Sequence, residues 1–96
     1  AEYSSAMKLR SPSAEIYVKA AQCYRQSGSI DVAQDLLTMA SSRESGYADI
    51  SKEQGAIYEI KGDIRAAVQS YNKYLGLSPN ATDRGEIEAR INKIGN

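Results

Sequence analysis

At 96 residues the chain is one domain with a thin core, because a protein this short buries only roughly 60–65% of the surface its unfolded form exposes. Twelve basic residues balance twelve acidic ones, which argues against nucleic-acid binding, where a basic excess displaces phosphate counterions. One cysteine and no histidine exclude an internal disulfide and the common zinc or iron sites, and no apolar run is long enough to span a bilayer.

Taken in chain order, residues 1–10 place Tyr3, Ala6 and Leu9 at helical spacing ahead of Ser11-Pro12. Proline suits the first turn of a following helix, with Ser11 as its N-cap. Tyr17, Ala20, Ala21 and Tyr24 then form one helical face that stops at Gly28, and Ala33, Leu36, Leu37 and Ala40 form the facing stripe of a second helix. The pattern recurs. Ile57 and Tyr58 precede Gly62-Asp63, and Ala67, Val68, Tyr71 and Leu75 follow. Glycine suits the left-handed position that ends a helix, and Ser29 and Asp63, one residue on, are N-caps for the next. Beyond Pro79, the segment from Asp83 to Ile94 carries Ile87, Ile91 and Ile94 on one face, and Asp83-x-x-Glu86 predicts a capping box. Stacked hairpins leave their last apolar face bare, so a terminal helix with a polar outer side is expected here.

The recurrence has a fixed period. A shift of 34 residues superposes Ala14 on Ala48, Ile16 on Ile50, Tyr24 on Tyr58, Gly28 on Gly62, Ile30 on Ile64 and Ala33 on Ala67. It also brings Ala21 to Gly55 and Leu37 to Tyr71. The matches fall on small, aromatic and turn positions, while the charged positions between them vary. Ala21, Gly55, Ala33 and Ala67 let the two backbones of a hairpin approach closely. Tyrosine is the only aromatic residue in the chain, so it must fill the space beside them.

The spacing of Gly55-x-x-Tyr58, Gly62, Ala67, Tyr71 and Pro79 resembles the tetratricopeptide repeat, a helix–turn–helix family. The resemblance implies an all-α fold, with antiparallel helix-turn-helix repeats stacked as a short right-handed solenoid and closed by a C-terminal capping helix. It sets the repeats at 14–47 and 48–81 and the capping helix at 82–94, all within a single domain, 1–96. Residues 1–10 are either the second helix of an earlier repeat, since Tyr3 and Ala6 align with Leu37 and Ala40, or a simple capping helix. On that frame the chain is expected to be the C-terminal part of a longer protein. It departs from the family pattern at Ser51 and Gln54, where bulky apolar residues are preferred, and at Tyr74, where alanine is usual.

Nothing in the sequence assembles a catalytic site. No Ser-His or Cys-His pair is possible, the glycines punctuate helices, and Cys23 reads as a semi-buried core thiol. Asn80-Ala81-Thr82 fits the glycosylation acceptor pattern, which is common by chance. Asp49 and Glu53, one helical turn apart, read as surface charge. The chain is therefore expected not to be an enzyme and to need no cofactor or metal.

The resemblance implies a different role, that of a protein-interaction scaffold. In this family the first helices of the repeats line a concave groove that holds a partner segment. Carried onto this sequence, the groove takes Glu15, Val18, Lys19, Gln22, Arg25 and Gln26 from the first repeat. From the second it takes Asp49, Lys52, Glu53, Ala56, Glu59 and Ile60. Lys19 aligns with Glu53 and Arg25 with Glu59, pairs expected to neutralise each other for about 0–1 kcal/mol apiece. One subgroup of the family grips a C-terminal carboxylate with Lys and Asn residues. Lys52 stands at a suitable position, but Val18, Gln22 and Ala56 replace other members of that set, so the clamp is expected to be absent. The implied partner is another protein or peptide, with neither nucleic acid nor membrane insertion. The alternative is a structural role at the end of a longer solenoid, forming a homo-oligomer through an open N-terminal face that includes Tyr3 and Tyr47.

Overall fold

The computed structural model describes residues 13–95, and within them it is helical with no strand. Five helices follow one another: α1 (Ala14–Gln26), α2 (Ile30–Arg43), α3 (Ala48–Lys61), α4 (Ile64–Leu77) and α5 (Arg84–Gly95). α1 packs on α2, α3 packs on α4, and α5 packs on α4. The described residues separate into two compact units at Tyr47/Ala48. The first is the α1–α2 hairpin; the second is the α3–α4 hairpin with α5. Tyr3, Ala6, Leu9, Ser11 and Pro12 lie outside the described residues.

Both hairpin turns close in the same way. Gly28 and Gly62 adopt φ of 92° and 82°, a left-handed conformation that would strain any residue with a Cβ. At the first turn the Gly28 amide donates to the Arg25 carbonyl and the Ser29 amide to the Tyr24 carbonyl, at 3.1 and 2.8 Å. At the second, Gly62 donates to Glu59 and Asp63 to Tyr58, at 3.1 and 2.9 Å. This is the Schellman closure, in which carbonyls orphaned at a helix end are satisfied by the two amides beyond it. The repeated tyrosines therefore contribute their backbones to the turns as well as their rings to the packing.

Of the four expected helix caps, Asp63 is found as expected and the other three differ. α1 begins at Ala14 with Ser13 as N-cap, its hydroxyl accepting from the Ile16 amide, so the cap is two residues later than Ser11. Asp63 caps α4 through its side chain, accepting from the Ala66 amide at 3.2 Å. Ser29 holds the N-cap position of α2 without a side-chain capping bond. The Asp83 carboxylate, expected in a capping box with Glu86, is taken up by Tyr74 and Lys52, as described below.

The second-helix stripes form the core. In α2 all four expected residues, Ala33, Leu36, Leu37 and Ala40, are buried. In α4, Ala67, Tyr71 and Leu75 are buried together with Tyr74, while Val68 is half-buried. Ala67, Tyr71, Tyr74 and Leu75 cluster with Ile87 of α5, and Tyr58, Ile91 and Ile94 pack against the edge of that cluster. Gly55 is where the α3–α4 hairpin is tightest. A Cβ there would lie 2.6 Å from Cε1 of the Tyr71 ring, closer than any real contact. The first hairpin has Ala21 and Leu37 at the equivalent places, both 1% exposed. A larger residue on one helix is matched by a smaller one on the other.

Two readings of individual residues are corrected here. Cys23 is exposed rather than semi-buried. Glu53, read as surface charge with Asp49, is buried, as is Ser51 beside it. Among the described residues no buried side-chain nitrogen or oxygen lacks a hydrogen-bond partner, so these polar groups are satisfied inside the fold.

Candidate functional site

The charged residues of α3 supply the most structured polar surface of the second unit. Glu59 is the hub of one network. Arg90 of α5 donates from Nε to Glu59 Oε1 at 2.7 Å and from Nη2 to Oε2 at 2.9 Å, a two-pronged guanidinium–carboxylate pair. The Tyr71 hydroxyl of α4 donates to the same Glu59 Oε1 at 3.0 Å. Burial pushes the Tyr71 phenol up to about 12, and its bond to Glu59 adds to the shift. The hydrogen bonds that Arg90 donates to Glu59 raise it above its ordinary value.

A second network repeats the arrangement with the charges exchanged. Here the cation is on α3 and the carboxylate precedes α5. Lys52 Nζ stands 2.6 Å from Asp83 Oδ2, and the Tyr74 hydroxyl donates to Asp83 Oδ1 at 2.6 Å. Lys52 also lies 5.7 Å from the centroid of the Tyr74 ring, within cation–π range. The hydrogen bond with Asp83 raises Lys52 above its usual value, against the lowering effect of its own partial burial. Burial alone would push Asp83 up, but the bonds from Lys52 and Tyr74 outweigh it and hold the carboxyl below the ordinary range. Burial and the bond to Asp83 push Tyr74 upward.

Each network therefore joins all three helices of the second unit. A tyrosine of α4 donates to a carboxylate, which pairs with a cation on the opposite side, one partner on α3 and the other at α5. Arg90 follows Glu59 by 31 residues and Asp83 follows Lys52 by the same interval. The pairs thus run in the same order along both helices, which places α5 parallel to α3 where their side chains meet.

The residues expected to line the groove divide by environment. On α1, Glu15, Lys19, Gln22 and Gln26 are exposed, Arg25 is half-buried and Val18 is buried. Val18 thus belongs to the core. Lys19 pairs with Glu15 on its own helix at 3.7 Å, a solvated contact of little energetic consequence. On α3, Glu53 is buried; Asp49, Lys52, Ala56 and Glu59 are half-buried; Ile60 is open at 55% exposure. Lys52 and Glu59 are already committed to Asp83 and Arg90. Ile60 is the most exposed large apolar side chain among the described residues, with Ala56 one turn before it on the same helix.

Arg90 was not singled out from sequence, and Asp83 was read only as a helix cap, although a signal for both was present. They stand 34 residues after Asp49 and Ala56, so the period that relates the first two helical faces extends to α5. Among the described residues, no group of His, Cys, Asp or Glu side chains is arranged to hold a metal ion, and no helix is long and apolar enough to cross a membrane.

Residues 53–81 match the family model of the tetratricopeptide repeat. This segment is a tetratricopeptide repeat. It spans most of α3 and all of α4, the hairpin built on Gly55, Gly62 and Tyr71. No curated protein and no solved structure matches the chain. Tetratricopeptide repeats are non-catalytic scaffolds that generally mediate contacts between proteins.

Proposed function

We propose that the chain is a protein-interaction module that holds a partner segment against the first-helix faces of its repeats. The observation that carries this reading is on α3. Ile60 is left open to solvent, Ala56 lies one turn before it, and the strip they make is flanked by the ordered charges of Lys52 and Glu59. A buried anchor amid a polar rim is the usual anatomy of a recognition surface. Within the first unit, the exposed polar residues of α1, namely Glu15, Lys19, Gln22 and Gln26 together with half-buried Arg25, are proposed as a contact surface in their own right.

Peptides selected from a random library on the immobilised full chain provide the test, followed by chemical-shift mapping of the selected binders. Shifts at Lys19, Gln22, Lys52, Ala56 and Ile60 are expected, and Ile60→Lys should weaken binding at least roughly tenfold, the effect of burying an unpaired charge in an apolar anchor site. Shifts confined to exposed second-helix residues such as Asp35 and Gln69, with Ile60→Lys silent, would overturn the assignment.

A further inference from the structure

We infer that α5 is an electrostatically latched cover on the α3–α4 hairpin, one that opens as a unit while the hairpin beneath it stays folded. The inference begins with how little apolar surface seats this helix. α2 and α4 each bury four residues, whereas α5 buries only Ile87. Ile91 and Ile94 reach the core edge but are only partly covered. The junction between α4 and α5 is an open cleft of about 580 Å³, lined by Asn72, Leu75, Pro79, Glu88, Ile91 and Asn92 among others. Apolar packing in this junction is thus incomplete.

The two carboxylate networks make up the difference. α5 is held across to α3 at two points, its N-terminal end through Asp83 and Lys52 and its middle through Arg90 and Glu59. In both pairs the carboxylate is the sheltered partner and the cation the open one: Asp83 and Glu59 are 19% and 15% exposed, Lys52 and Arg90 40% and 53%. Cations so placed are reached by salt. The Debye length falls from about 10 Å at 0.1 M to about 3 Å at 1 M, so these attractions weaken across that range while the buried α3–α4 contacts do not. The exchanged polarity of the two pairs also fixes direction and register, because a slide of α5 along α3 would set like charges together.

Opening has a local consequence. A helix of 12 residues is marginal when it stands alone in water, so α5 loses its internal hydrogen bonds once it leaves the hairpin. It also uncovers Lys52, Glu59 and the hydroxyl edges of Tyr71 and Tyr74. That exposure bears on partner access only under the proposed function, whereas the latch itself requires no partner.

Amide hydrogen exchange on the full chain, without any partner, tests the latch. Between about 0.1 M and 1 M sodium chloride, α5 amides are expected to accelerate together by about tenfold, with the α3 and α4 amides unchanged. Arg90→Glu should produce the same loosening at low salt. The charge exchange Glu59→Arg/Arg90→Glu should restore protection of α5, which separates loss of the ion pair from loss of side-chain packing. Protection of α5 that ignores salt, that disappears together with α3 and α4, or that the charge exchange fails to restore would overturn the inference. Because no partner is present, those outcomes are independent of whether the chain binds one.

Discussion

Replacing Gly55 with alanine asks whether the α3–α4 hairpin is sized around the Tyr71 ring. The added Cβ would lie 2.6, 2.7 and 2.9 Å from Cε1, Cδ1 and Cζ of that ring. The ring has nowhere to go: Tyr71 is 3% exposed, and its hydroxyl is held by Glu59 at 3.0 Å. Relief requires the helices to part or the hydroxyl bond to break. Overpacking of this kind costs about 1–3 kcal/mol, loss of the hydrogen bond adds about 1 kcal/mol, and the better helix propensity of alanine returns about 1 kcal/mol. The net expectation is destabilisation by about 1–3 kcal/mol. The decisive comparison is the same substitution made with Tyr71→Leu, which reproduces the Ala21/Leu37 combination of the first hairpin. With the ring gone, Gly55→Ala should become stabilising by up to about 1 kcal/mol, so the cycle should show a coupling of about 2 kcal/mol or more. Urea unfolding followed by circular dichroism on the four proteins measures it. A Gly55→Ala variant that is neutral or stabilised in the presence of Tyr71, or a coupling below about 0.5 kcal/mol, would refute the reasoning.

Three further expectations are simpler. Asp63→Ala should cost about 1 kcal/mol through loss of the bond to the Ala66 amide, whereas Ser29→Ala should cost almost nothing because Ser29 makes no such bond; thermal unfolding of the two variants checks the contrast. Cys23 should react with a thiol reagent in the folded protein nearly as fast as in urea, because it is exposed; strong protection would contradict its placement. Docking of α5 should be flat across neutral pH and fail at both extremes. The depressed Asp83 gives stability that is complete above the unfolded carboxylate value of about 4 and is lost as pH falls through its lower folded value. Raised Lys52 gives stability complete below about pH 10 and lost as pH climbs through its higher folded value. Exchange of α5 amides, corrected for intrinsic rate, checks this, and loosening confined to the neutral range would count against it.

How much of this was legible in the sequence depends on what kind of contact carried the signal. Turns and second helices were readable because single residues decide them. Gly28 and Gly62 are needed for positive φ, and the α2 stripe is a clean helical face buried as a whole. The first helices were harder. The buried residues of α3, namely Ile50, Ser51, Glu53, Gly55 and Ile57, spread over about 200° of the helix at 100° per residue. No narrow apolar stripe exists for periodicity to find, and two of the buried residues are polar. Cys23 was misplaced for the opposite reason. Its usual preference for the interior outweighed its position, which lies off the arc of Tyr17, Ala20, Ala21 and Tyr24.

Lys52 and Glu59 were legible in the sequence as groove residues but their partners Asp83 and Arg90 were not, and the cause is geometric. A period of 34 residues identifies positions that are equivalent, and the sequence alone suggests that equivalent positions face each other. Lys19 with Glu53 and Arg25 with Glu59 were matched on that basis. In the second unit the side chains that meet across α3 and α5 are separated by 31 residues, about one helical turn less than the period. Two parallel helices present to each other flanks that are not equivalent, so a residue on one meets a neighbour almost a turn earlier on the next. Reading at this shorter interval pairs Lys52 with Asp83 and Glu59 with Arg90, opposite charges in both cases. The contact interval of a helical repeat thus carries charge information that the period itself conceals.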